Sequence, residues 1–324
     1  MAYPLLFQWL LSFGILFSLQ STNAPVKLTD ASLLSLRVSE KARSVSLSQR
    51  VWNSDKTWCY YEIKEEMGER TDKENGVTYR TLCCMKKDGK RGYRIFKGKE
   101  GEYAACNAFW SPDGHYLFFW IEKAGSSSVN KDGIPLYIVS LKTGKAVKLT
   151  ERILVSKRFL AFSRDNRFLA MTVGSGRFWQ HEKRIAIWDI IKRQRRWLTP
   201  ASMAAVHPTW SPDGKTIAYA ALPSMDLEHS LKRHGSFFPI EADHYRHLYI
   251  IDKDGKHQQK ITHDRRYREY APRWLKDGRT IEFIRVHNQS DKGSVWQIDL
   301  KTQKLRRIHK TEDTPYGVGN EDWD

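Results

Sequence analysis

Cysteine is scarce in this 324-residue sequence. There are four, Cys59, Cys83, Cys84 and Cys106, and no Cys-x-x-Cys. That spacing excludes the paired-thiolate zinc and redox motifs. Gly-x-Ser-x-Gly, Gly-x-Gly-x-x-Gly and the P-loop are also missing; the nearest string, Gly174-Ser175-Gly176, lacks the elbow spacing. Their absence removes the nucleophile elbow, the dinucleotide cradle and the triphosphate cradle. No His-x-His or His-Glu-x-x-His sets two ligands on one element, so neither metal nor cofactor is expected. Acids are the minority charge, 37 against 54 Lys and Arg, for a formal net charge of +17. Such an excess attracts polyanions in general. No nucleic-acid motif accompanies it, so no specific nucleic-acid partner is expected.

What is present is repetition. Thr209-Trp210-Ser211-Pro212-Asp213-Gly214 is followed by an apolar run, and so is Phe109-Trp110-Ser111-Pro112-Asp113-Gly114. Worn copies stand at Phe162 with Asp165, at Trp274 with Asp277 and Gly278, and most faintly at Trp52. The anchors Trp52, Trp110, Phe162, Trp210 and Trp274 are 58, 52, 48 and 64 residues apart. Each copy is an aromatic residue, a turn set by Pro and Gly, and then a β-branched or aromatic run too short for a helix. A second strand set follows at Tyr79 to Met85, Leu136 to Leu141, Arg184 to Ile190, His247 to Asp252 and Ser294 to Leu300. A basic turn and a closing strand come next, ending in Leu149-Thr150, Leu198-Thr199 and Ile261-Thr262. Four strands at this period are the signature of a β-propeller blade.

Trp-Ser-Pro-Asp-Gly, the Leu248-Tyr249-Ile250-Ile251-Asp252 type of strand and the closing Leu-Thr resemble the TolB-like (WD40-like) β-propeller repeat over roughly residues 50–324. The resemblance implies an all-β fold. Trp323 lies 49 residues after Trp274 and reads as a sixth anchor. The expectation is therefore six blades of four antiparallel strands, residues 26–50 supplying Leu33 to Val38 and Val45 to Leu47 to a blade shared by both termini; five blades or a truncated sixth are the alternatives.

Residues 1–24 form a second region. Tyr3 to Leu19 is apolar, with no Lys or Arg before it, and Thr22-Asn23-Ala24 is the best cleavage spot, followed by Pro25. It reads as a signal peptide or an N-terminal membrane anchor, so export is expected, with residues 25–324 as the propeller domain. Two readings of the cysteines stay open: small buried residues in blade cores, or a pair between Cys59 and Cys83 or Cys84 in an oxidising compartment.

The strand order sorts the loops onto two sides. One side carries short basic turns, at Lys86 to Arg91, Lys142 to Lys145, Lys192 to Arg196, Lys253 to Lys256 and Lys301 to Lys304. These suit an anionic surface such as lipid headgroups or a wall polymer. The other side carries the long loops, where ligands are usually taken. There His263 to Tyr270 interleaves Arg265, Arg266 and Arg268 with Tyr267 and Tyr270, a mixture fitted to an anionic or peptide ligand. Trp179 with His181, and His229 with His234, are further candidates. The function expected is a non-catalytic, monomeric interaction scaffold outside the cytoplasm with a protein or peptide partner in the cell envelope. The alternative is a lactonase- or glycosidase-like hydrolase using scattered acids or histidines near a central channel.

Overall fold

The computed structural model describes residues 26–28, 42–67, 77–97, 103–123, 134–153, 157–174, 183–224, 246–290 and 292–310. The chain divides into two compact units. One holds residues 1–126 and 137–147, the other residues 127–136 and 148–324. The described residues are almost wholly strand and turn, and none of their helices is long and apolar enough to cross a membrane.

In the first unit, β1 (Val26–Leu28), β2 (Ala42–Leu47), β3 (Val51–Trp52), β4 (Trp58–Met67), β5 (Val77–Lys86) and β6 (Gly92–Lys97) form one antiparallel sheet. The strands β7 (Tyr103–Trp110) and β8 (Tyr116–Lys123) begin the next repeat, and β9 (Ile134–Ser140) and β10 (Ala146–Ile153) follow them along the chain. The segment expected to complete a sixth blade pairs here instead. β2 lies along residues 63–67 of β4, and β1 lies along β6. The reason is length. β3 covers only Cys59 and Tyr60 of the ten-residue β4, and the backbone groups beyond need partners of their own. Ser48 makes the join: its N–H donates to the Glu62 carbonyl and its hydroxyl accepts from the Glu62 N–H. Residues 33–38 and Trp323, the other parts of that expectation, lie outside the described residues.

Two apolar clusters hold this unit. One joins Trp58, Leu82, Cys84, Tyr93, Leu117, Phe119 and Val139; the other joins Cys59, Tyr61, Ile63, Cys83 and Met85. Cys59, Cys83 and Cys84 are free thiols with no exposed surface. Of the two readings of the cysteines, these three follow the first. Burial raises the Cys83 thiol to about 12 and pushes Cys84 up as well, so both are inert at neutral pH.

The second unit carries three repeats. Their strands are β11 (Leu160–Phe162), β12 (Phe168–Val173), β13 (Arg184–Asp189) and β14 (Gln194–Trp197); β15 (Met203–Trp210), β16 (Thr216–Pro223), β17 (His247–Asp252) and β18 (Gln259–Lys260); and β19 (Tyr267–Trp274), β20 (Thr280–His287), β21 (Gly293–Asp299) and β22 (Leu305–Lys310). Each set pairs antiparallel in sequence order. Between consecutive sheets lie clusters built on Ile185, Trp210 and Tyr219, and on Ala220, Leu248 and Phe283.

The repeated residues are turn and staple parts. Ser111, Ser163 and Ser211 each donate a hydroxyl to the Asp two residues on, at 2.5, 2.5 and 2.6 Å. The same hydroxyl accepts from the first N–H of the next strand. The left-handed position falls on Gly114, Gly214 and Gly278, and in the worn copies on Lys56 and Asn166. Gly114 is also closely packed: a Cβ there would sit 2.7 Å from Ser54 Oγ and 3.1 Å from Asn53 Cβ. The closing Thr acts similarly in two repeats: the hydroxyls of Thr199 and Thr262 accept from the N–H groups of Ile185 and Leu248.

Candidate binding site

The link between β18 and β19 is built on a buried polar base. Asp264 Oδ1 accepts from the Arg266 N–H at 3.1 Å and from Nε at 3.0 Å, and Oδ2 accepts from Nη2 at 2.8 Å. The Arg266 side chain thus holds the Asp264 carboxyl down at about 2. Arg285, on β20, lies between the Tyr267 ring at 4.2 Å and the Trp296 ring at 5.1 Å. Its Nε is 3.2 Å from Glu269 Oε1 and its Nη2 3.6 Å from Asp264 Oδ2. Glu269 has no exposed surface. Its Oε2 accepts from the Thr262 hydroxyl at 3.1 Å and lies 2.7 Å from His247 Nδ1. Asn288 fixes the other side of the link, donating from its backbone N–H to the Arg266 carbonyl and from Nδ2 to the Arg265 carbonyl, both at 2.9 Å. A buried carboxylate is stable only when paired and hydrogen-bonded, and here it ties the link to β17 and β20.

The five candidates on this link therefore divide. Arg265 and Arg266 are exposed, and Tyr267 and Tyr270 are half-buried. Arg268 is buried; its Nε donates to the Tyr270 hydroxyl at 3.1 Å and its Nη1 to Asn288 Oδ1 at 3.3 Å. Arg268 supports the surface rather than forming it. Sequence reasoning missed Glu269, His247, Arg285 and Asn288 as the base. A signal was present for Arg285, a charged residue between Ile284 and Val286 inside an apolar strand; Glu269, beside Arg268, gave none. Trp179, His181, His229 and His234 lie outside the described residues.

Farther along β19 the backbone bulges. The register shifts between Tyr270 and Arg273, as it does between Val206 and Thr209 on β15 and between Cys106 and Phe109 on β7. Ala271, His207 and Asn107 hold left-handed φ values of 46°, 56° and 49°, each three residues before an anchor Trp. Pro208 and Pro272 follow two of them, and a residue without an N–H fits where the ladder is broken. In the second unit these bulges leave a cleft of about 210 Å³, lined by Ala161, His207, Pro208, Pro272, Arg273 and Glu282 among others. Among the described residues, Glu282 is the one carboxylate in its lining. Its two oxygens accept from Arg273 Nη2 at 2.5 Å and Gln297 Nε2 at 3.0 Å. Among the described residues no three His, Cys, Asp or Glu side chains are gathered as a metal site.

No family model and no curated protein matches the chain. Solved structures do. A protein of Bacteroides ovatus described as a dipeptidyl aminopeptidase IV is 9% identical over 85% of this chain and 43% of its own, with a TM-score of 0.50. A TolB of Agrobacterium tumefaciens is 17% identical over 82% of this chain and 81% of its own, with a TM-score of 0.44. An oligogalacturonate lyase in complex with manganese is 16% identical over 83% and 68%, with a TM-score of 0.47. The fold is a TolB-like β-propeller fold. At these identities the likeness is one of fold alone, and scaffolds of this kind hold many unrelated sites.

Proposed function

We propose that this propeller is an exported, non-catalytic interaction module. It takes a protein or peptide partner of the cell envelope on its long-loop side, at the link of residues 262–271. The basic turns on the opposite side lie against an anionic surface. The observation that carries the reading is the pairing of exposure with rigidity. Arg265 and Arg266 are exposed, while the backbone beneath them is clamped by Asn288 and the buried Glu269–Arg285 pair. Pre-ordered Arg and Tyr groups lose little entropy on binding, which is what a recognition surface needs. The Tyr267 ring beside Arg266 adds a flat contact at 5.8 Å.

The test is a quantitative pull-down from envelope extracts with the full chain and with an Arg265→Glu/Arg266→Glu variant. Both side chains are exposed, but the variant also breaks the Arg266–Asp264 bonds, so a thermal melt and the single Arg265→Glu variant separate loss of binding from loss of local structure. One partner is expected to drop by an order of magnitude or more, as for the loss of a charged contact at an interface centre. An unchanged set of partners overturns the assignment of the site.

A further inference from the structure

The edge of the second unit carries a surface that the long-loop reading does not use. β14 ends its sheet, and every residue from Ile191 to Trp197 is exposed. Ile191 is 70% exposed, the highest value among the exposed large apolar residues, and Trp197 is 41% exposed. Between them stand Lys192, Arg193, Gln194, Arg195 and Arg196, with no acid. Two guanidinium groups lie over the Trp197 ring, Arg184 at 4.3 Å and Arg195 at 4.9 Å. Arg184 is itself pinned by two bonds to the Thr199 carbonyl. The turn that presents Ile191 is rigid, because Asp189 Oδ1 accepts from the N–H groups of Ile191 at 3.1 Å and Lys192 at 2.9 Å. The same Asp also pairs with Arg167 at 3.1 Å, so its charge is engaged away from the tip.

Lysine and arginine on an edge strand normally serve to block edge-to-edge pairing. That accounts for the charges here. It does not account for an isoleucine at the turn tip and a tryptophan at the strand end, both turned to water on a fixed frame. A bilayer interface accounts for both sets together. Its phosphates take the cations, the indole suits the headgroup level, and an aliphatic tip enters the acyl boundary. A nucleic-acid strand would use the cations and the ring but has no place for Ile191.

We propose that the protein docks peripherally on a bilayer rich in anionic phospholipid through this edge, with Ile191 and Trp197 inserted and Lys192, Arg193 and Arg195 on the headgroups. This rests on the anionic-surface part of the function proposed above and specifies what that surface is.

The experiment reads insertion at one position. The full chain carrying Ile191→Cys is labelled with an environment-sensitive dye and mixed with vesicles of phosphatidylcholine alone or with phosphatidylglycerol. Wild type treated with the same dye supplies the background. The dye emission is expected to shift to the blue, and to be quenched by spin-labelled lipid, on the anionic vesicles only. Vesicle affinity is expected to fall about tenfold for Ile191→Asp, the scale of one buried aliphatic side chain. It falls about fivefold for each of Lys192→Gln and Arg193→Gln. Polyglutamate and single-stranded DNA are the comparison ligands. No spectral shift on anionic vesicles overturns the bilayer proposal. If polyglutamate or DNA then binds in a manner lost with Lys192→Gln, the anionic-surface reading survives without the lipid. If nothing anionic binds at low salt, both readings fail.

Discussion

Asp277 stands where three other repeats set a Ser–Asp pair, yet Leu275 replaces the Ser. Thr280 takes over. Its hydroxyl donates to Asp277 Oδ2 at 2.6 Å, and the N–H groups of Arg279 and Thr280 donate to Oδ1 at 2.9 and 2.8 Å. These bonds, that of the Thr280 hydroxyl foremost, hold the carboxyl at about 2, against an ordinary 3.8. Asp264 is held at about 2 as well, chiefly by Arg266. A carboxyl that ionises at lower pH when folded stabilises the fold at every pH above its unfolded value, and that contribution is lost as pH falls through the folded one. The loss therefore lies between 3.8 and about 2. Urea midpoints measured down this range should decline for the wild type. Asp264→Asn/Asp277→Asn should start lower near neutral pH and decline less. Parallel curves would show that the two carboxyls are ordinary.

The anchor tryptophans link one strand set to the next. Trp210 Nε1 donates to the Ala161 carbonyl at 3.0 Å, and Trp110 Nε1 to the Val51 carbonyl at 3.0 Å. In both cases the acceptor is the residue just before the preceding anchor. The Trp274 indole nitrogen is buried too, with no acceptor among the described residues. Trp→Phe removes the same atoms at either place. The difference should isolate the hydrogen bond, about 1 kcal/mol more for Trp210→Phe than for Trp274→Phe. Chemical unfolding of the two variants measures it; equal losses would mean the staple contributes nothing. The aromatic–turn–strand order was legible in the sequence because Pro, Gly and Asp are chosen by backbone geometry that each repeat must satisfy. The bulges at Asn107, His207 and Ala271 were not, since three unlike side chains occupy one backbone state. The partner of residues 42–47 was not either, because strand pairing depends on the length of β4, which no local signal records. The link was singled out in the sequence by its Arg and Tyr residues, whereas its buried base depends on contacts from β17 and β20, distant in sequence.

Charge acts on the whole molecule. At +17 the folded chain repels itself, and self-repulsion opposes compactness. Local pairing does not remove the excess, because the carboxylates Asp189, Asp264 and Asp299 are each already engaged with turn N–H groups and with arginine, Asp264 with both Arg266 and Arg285. The remaining cations on the turns and on β14 face solvent, where a Debye length near 10 Å at about 0.1 M salt separates them effectively. Added salt should therefore do two opposite things. Raising NaCl from about 20 to about 200 mM should raise the melting temperature by relieving repulsion, and should weaken retention on any anionic surface over the same range. Differential scanning calorimetry checks the first effect and sedimentation with anionic vesicles the second. A melting temperature that falls with salt would mean that attractive pairs, which are screened equally, outweigh the excess. In that case the basic turns are an internally balanced network, and the charge available to a partner is smaller than +17 implies.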